Sequence, residues 1–329
     1  MKTLIFSPSP HIHSPRTTRG TMVHVLIALV PAMLCSLWFF GLPALWVLVT
    51  SVVSCMAVEW LITRFMLGRP STLGDGTAIL TGVLLALNLP ASLPWWIVVA
   101  GSVMAIGIAK MAFGGLGCNI FNPALVGRVF LLISFPVAMT SWPLAQGAFP
   151  LADAFAGASM LADGTSGATM LAQFKAGYVE YADIDYTRML LGDMGGSMGE
   201  VSAAALLLGF IYLLAVRVIK PHIPLAVIAG LCLVDLIAGF PVLPDILAGG
   251  LLLGAIFMAT DYVTSPMTSA GMIVYGLLIG VITASIRRWG AYPEGMSFAI
   301  LMMNGAVPLI DRYIRPRRYS PHKTKEAAV

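Results

Sequence analysis

Charge is scarce in this chain. Asp, Glu, Lys and Arg together make up 10% of the 329 residues, against a hydrophobic fraction of 58% and a mean hydropathy of +0.89. Soluble domains carry about 25% charged residues, so an ordinary soluble fold is excluded. The net charge of +4 is no nucleic-acid signature, because the cations gather at the ends of apolar segments, where they set orientation. Cysteine is also sparse. Cys35, Cys55, Cys118 and Cys232 have no CxxC spacing, which argues against a disulfide framework or a zinc site. A P-loop, a Ser/His/Asp order and paired catalytic carboxylates are likewise missing, so no catalytic residue and no metal site are expected. His11 and His13, in a proline-flanked polar arm, supply too few ligands to change that and read better as a cytoplasmic arm touching a partner. The first apolar run lacks a small-residue cleavage pattern and is expected to be retained as a span.

What is present is apolar sequence in segments near the roughly 20 residues that a span requires. Helices are expected at about 22–40, 44–66, 76–90, 94–112, 122–140, 200–219, 223–240, 244–260, 271–288 and 296–312, the third short enough to be a broken or half helix. With ten spans, Arg16, Arg19, Arg64, Arg69, Lys110, Arg217, Lys220, Arg312, Arg315, Arg317 and Arg318 fall on one side, which makes both termini cytoplasmic. Arg287 and Arg288 break the pattern. A weak duplication accounts for them: Leu80 through Leu85 resembles Ala248 through Leu253, and Lys110 through Asn122 resembles Arg287 through Phe298. Copies separated by five spans are inverted, so the cationic end at Lys110 reappears on the opposite face. The expected fold is therefore an all-α polytopic membrane protein of about ten transmembrane helices, two inverted five-helix repeats with broken helices. Its divisions are a transmembrane half at 1–140, an outward, periplasmic loop at 141–199, and a second transmembrane half with a cytoplasmic tail at 200–329.

The polar loop holds the run Asp163-Gly164-Thr165-Ser166-Gly167-Ala168-Thr169-Met170-Leu171. The hydroxyl after glycine and alanine, with an acidic residue six positions before it, can be approached closely by a modifying enzyme because small neighbours leave the backbone open. Such runs are also common turn chemistry. Asp75 and Asp261 sit at span edges in Gly/Thr/Pro-broken sequence and are candidates for an ion path, since carboxylates near a membrane interior are costly to keep without a role; an N-cap or interfacial position is the bland alternative. Glu59 and Asp235 are buried-polar candidates, with snorkelling to the interface the expected fate of Glu59. The loop Gly114 through Ala124 runs into a proline-started helix whose N-terminus could face an anion or a flavin's polar edge, or simply pack closely. Ser197 and Glu200 have capping-box spacing, which predicts the start of the sixth span.

Together with Ser9 through Ser14, Ala259-Thr260-Asp261, Tyr292 through Gly295 and Val307 through Asp311, these motifs resemble the family of the D subunit of the Rnf ion-translocating oxidoreductase and the B subunit of the sodium-pumping NADH:quinone reductase. The likeness runs nearly the whole length. Cys118 and Tyr262 depart from the residues usual there, glutamine and proline. The resemblance implies FMN joined by a phosphoester to Thr169, with Asp163, Ser166, Gly167 and Ala168 as the surrounding flavin-attachment motif. It also implies a flavin transferase for maturation, other Rnf subunits of the A, B, C, E and G types as partners, and a bacterial inner-membrane location. A second, non-covalent flavin and the choice between Na⁺ and H⁺ are left open. The implied role is a subunit, not catalytic alone, that couples electron transfer between ferredoxin or flavodoxin and NAD(H) to ion translocation. A small-solute channel of similar architecture is the competing reading, and the attachment run tells against it, since a channel has no need of one.

Overall fold

Thr17 accepts a hydrogen bond from the Gly20 amide at 3.1 Å and so caps α1 (Thr18–Leu61), which runs on through a π-helical turn, Ile62–Met66. The two spans expected over 22–66 are two helices joined at Gly41 (φ 65°, ψ −144°), a non-helical residue followed by Pro43, and the chain folds back there so that Met22 and Glu59 both lie beside residues 72–76. The computed structural model describes residues 17–68, 72–143, 166–167, 169–176, 186–192, 195–290, 292 and 294–315. After a turn at Leu73–Asp75 come α2 (Thr77–Leu87) and α3 (Trp95–Ser102), the latter prolonged by a π-helical stretch, Val103–Met111. Asn122 then caps α4 (Pro123–Ser134), and a short α5 (Pro136–Thr140) follows. Strands β1 (Trp142–Pro143) and β2 (Ser166–Gly167) pair antiparallel ahead of α6 (Met170–Ala176) and α7 (Tyr186–Leu191). The second half comprises α8 (Ala203–Ala215), α9 (His222–Ala238), α10 (Val242–Leu247), α11 (Leu251–Leu253, prolonged as a π-helical turn Gly254–Met258), α12 (Ser269–Trp289) and α13 (Met296–Tyr313).

The molecule is thus an almost entirely α-helical bundle whose surface suits a polytopic membrane protein. Leu34, Leu208, Leu236 and Ile237 are 60%, 60%, 70% and 80% exposed, and apolar side chains spread so widely over a surface call for a lipid solvent. Among the described residues, Thr18–Met66 and Ser269–Trp289 are long and apolar enough to cross a bilayer on their own, while five other apolar helices have 10–17 residues. The shortness has a visible cause in two of the elements. Residues 81–91 and 251–259 are buried without a break, so most of α2 and all of α11 lie inside the bundle, away from lipid.

Small residues let the long helices approach. A Cβ on Gly280 would come within 2.1 Å of the Val227 carbonyl, and one on Gly230 within 2.3 Å of the Leu277 carbonyl, so α9 and α12 touch backbone to backbone. Gly209 meets the Ala28 carbonyl at 2.3 Å in the same way, joining α8 to α1. The capping box expected at Ser197 and Glu200 does not form. Ser202 caps α8 by accepting from the Ala205 amide, and Glu200 is drawn into an ion pair instead.

Candidate functional site

The run expected to bear the flavin is anchored at both ends of its described part. Trp142 pairs with Gly167 and Pro143 with Ser166, and two residues later Thr169 caps α6, its Oγ1 accepting from the Ala172 amide at 3.2 Å. Thr169 is only 7% exposed, so its hydroxyl is less open than the small-residue run predicts. Asp163 and Ala168 lie outside the described residues, as does the side chain of Ser166. Leu171 and Phe174 bury the inner face of α6 against Met189 and Ala248, and Lys175 donates to the carbonyls of Gly290 and Tyr292.

Beneath α6 lies a cavity of about 140 Å³ lined by Leu171, Phe174, Lys175, Phe240, Asp245, Arg287 and Arg288. Arg288 reaches Asp235 at 3.0 Å, also pairs with Asp245, and lies 3.9 Å from the centroid of the Phe240 ring. Arg287 differs from its neighbour. Its two terminal nitrogens donate to the backbone carbonyls of Asp245 and Ala248, its Nε is buried without a partner, and no described carboxylate lies within ion-pair distance. Gly249 (φ 72°) lets these groups meet: a Cβ there would come within 2.5 Å of Leu171, 2.8 Å of Glu294 Oε1 and 3.2 Å of Arg287 Nη2. Aromatic rings, cations and one orphaned guanidinium atom form a donor set that fits an aromatic group bearing negative charge, as a flavin does.

Two further ionic clusters are buried in the bundle. Arg128 of α4 binds Glu200 at 3.3 Å and Glu294, donates to Asn88 and Ser297 at 2.9 Å each, and so joins the end of α2 to the start of α13. Glu294 also accepts from the Gly250 amide at 2.8 Å, which ties in the start of α11. Lys110 pairs with Glu59 at 2.6 Å and donates to Thr77 at 2.7 Å, while Glu59 accepts from Thr72. Glu59 is 1% exposed, and the expected snorkelling is overturned because a partner cation sits within the same protein interior. Arg128, Glu200, Glu294 and Asp245 were not singled out as site residues from the sequence. An arginine in the middle of an apolar segment was the available signal for Arg128.

Asp261 lines a second cleft, about 90 Å³, with Thr77, Lys110, Asn119, Asn122 and Phe257 beside the glycine-rich loop. It accepts from Thr264 at 3.3 Å, and burial pushes its carboxyl above the ordinary aspartate range. Asn122 caps α4 and donates to the Met258 carbonyl at 3.2 Å, so the proline-started helix expected from the sequence forms where the loop ends. Asp75 stands apart, half-buried in the turn before α2. Asp75 precedes α2 and Asp261 follows α11 and its π-helical turn.

A family model described as NQR2, RnfD, RnfE matches residues 5–320. The chain is 43% identical over 328 residues to the D subunit of the Na⁺-translocating ferredoxin:NAD⁺ oxidoreductase complex of Acetobacterium woodii, covering 99% of this chain and 98% of that one. It is 42% identical over 325 residues to the D subunit of an ion-translocating oxidoreductase complex from Stutzerimonas stutzeri, covering 91% of each. It is 37% identical over 344 residues to the D subunit of a proton-translocating ferredoxin:NAD⁺ oxidoreductase complex from Clostridium ljungdahlii, covering 96% of each. By a match of this length, the chain belongs to the NQR2, RnfD, RnfE family.

Proposed function

We propose that this chain is a membrane subunit of an ion-translocating electron-transport complex, that it carries FMN on Thr169 through a phosphoester, and that it acts only with its partner subunits. The observation that carries the flavin reading is Thr169 at the head of α6, a helix whose inner face closes an aromatic and cationic cavity, in a chain related along its length to the D subunit of such complexes. Asp163, Ser166, Gly167 and Ala168 complete the attachment motif in this reading. The flavin supplies electron transfer when bound; the chain's own residues anchor, orient and surround it with charge. A small, extractable second flavin suits the cleft beside Asn119 and Asn122, and Asp75 and Asp261 remain the proposed ion path.

Polar contacts favour the inverted-repeat arrangement. The match that carries Leu80 onto Ala248 carries Thr77 onto Asp245, and the other match carries Lys110 onto Arg287. Lys110 binds Glu59 near the end of α1 and Thr77 at the start of α2; the Arg287–Arg288 pair binds Asp235 near the end of α9 and Asp245 before α11. The same cation-to-helix-end pattern thus recurs in each half, consistent with ten crossings when the short buried helices are counted, cytoplasmic termini, and a periplasmic loop at 141–199 within the inner membrane.

One set of membrane vesicles tests the reading. Thr169→Ala should abolish flavin fluorescence of this polypeptide in a denaturing gel, Thr169→Ser should keep some, and covalent flavin on the alanine variant would sink the assignment. Asp75→Asn and Asp261→Asn should lower ion uptake per electron with covalent FMN unchanged; an unaltered ratio in both removes them from the ion path. Flavin released by acid from the purified Thr169→Ala chain reports the second site, and its absence ends that part of the proposal.

A further inference from the structure

We propose that the cavity beneath α6 is the docking site of the isoalloxazine ring borne by Thr169, and that Arg287 is the positioning residue that balances the negative charge the ring acquires on reduction. The inference rests on Thr169 as the flavin-bearing residue and adds where the ring goes and what holds its charge. Leu171, Phe174 and Lys175 stand at i, i+3 and i+4 on the face of α6 that lines the cavity. From Thr169 to Lys175 the helix rises about 9 Å, a distance that an extended ribityl-phosphate arm also spans. The attachment point and the cavity are therefore separated by one arm's length.

The cavity has the chemistry of an aromatic anion site. Phe174 and Phe240 supply apolar rings, the latter with Arg288 over one face, and Lys175, Arg287 and Arg288 supply charge against Asp245 in the lining and Asp235 beside it. Arg288 is already matched by Asp235 and Asp245. Arg287 is 5% exposed, holds only backbone carbonyls and keeps a buried Nε without a partner. A guanidinium cannot shed its proton, and although the carboxylates of Asp245 and Glu294 act on Arg287 from nearby, neither pairs with it, so a facing anion at Nε would complete its partners. Reduction places negative charge on a flavin ring, and a fixed cation nearby favours that form. Arg287 also grips the Asp245 backbone, whose carboxylate holds Arg288, so charge at the ring bears directly on the Asp235–Asp245 cluster at the end of α9.

The test is a spectroelectrochemical titration of the purified complex, with the Thr169→Ala complex subtracted to isolate this flavin, and a denaturing gel on the same samples. Arg287→Gln should retain covalent flavin in the gel while the ratio of reduced to oxidised flavin at fixed potential falls at least tenfold, a shift of about 30 mV for a two-electron couple. Arg287→Lys should restore most of that loss, which a purely structural role would not require. A ratio within twofold of the parent in Arg287→Gln, with covalent flavin present, overturns the proposal. So does loss of a co-purifying phospholipid from that variant without a change in the ratio, which would make the cavity a lipid site. Should Arg287→Gln fail to accumulate, the exposed Lys175→Gln takes its place, with a two- to threefold fall expected and no change overturning the proposal. A parent complex without covalent flavin on this chain defeats this inference and the Thr169 assignment together, whereas an unchanged ratio defeats this inference alone.

Discussion

Glu59 and Lys110 meet at 2.6 Å with side chains 1% and 4% exposed, and each has a hydroxyl as its second partner. Removing one charge from such a pair leaves the other buried and uncompensated, at a cost of about 3–5 kcal/mol, whereas replacing both with apolar residues of similar volume is often neutral. Glu59→Gln should therefore lower the unfolding midpoint of the detergent-solubilised protein, and Glu59→Leu combined with Lys110→Met should recover most of it. A double variant as unstable as the single one would show that the pair does more than satisfy itself. The sequence marked Glu59 as a costly residue but could not name Lys110, which stands 51 residues away and reaches it only after α3 packs along α1. Thr169 presents the same asymmetry: its neighbours in sequence suggest an open hydroxyl, while in the fold it is 7% exposed at the head of α6.

Among the elements, starts and stops written in adjacent residues were legible. Asn122-Pro123 begins α4 with a side-chain cap and a proline whose missing donor is not needed there, and Gly239 (φ 75°) ends α9. Ser197 and Glu200 misled because Arg128 offers the carboxylate an ion pair in the bundle interior, and this outweighs the reciprocal cap. Helix crossings are another matter. Gly230 and Gly280 permit α9 and α12 to touch, with 2.3 and 2.1 Å to the facing carbonyls from a hypothetical Cβ. Gly280→Leu should separate the two helices, destabilise the protein by at least about 1–3 kcal/mol, and move Arg288 away from Asp235. Thermal unfolding together with the flavin titration reads both effects, and a variant with parental stability would refute the close crossing.

At the scale of the whole molecule, the orientation proposed for the chain puts the 141–199 loop outside and the C-terminal tail inside. Single cysteines at Asp183 and Arg318, both outside the described residues, in a background without the four native thiols, distinguish the sides. An impermeant maleimide applied to intact cells with an opened outer membrane should label position 183 and spare position 318; the reverse pattern overturns the orientation. The buried clusters also acquire their sense here, since Arg128 draws α2, α8, α11 and α13 to one point and the α6 cavity lies against the neighbouring residues Gly249 and Glu294.

The sequence by itself determined that the chain is an apolar helical membrane protein and where most of its helices begin, because hydropathy and caps are local properties that survive without neighbours. Only the tertiary structure decided that the two helices over 22–66 fold back on each other at Gly41 and that residues 81–91 and 251–259 lie inside the bundle. It also decided which charges meet. Ionisable side chains in a bundle interior find partners by proximity in space, and pairs such as Lys110–Glu59, Arg128–Glu294 and Arg288–Asp235 bridge helices that the chain separates by dozens of residues.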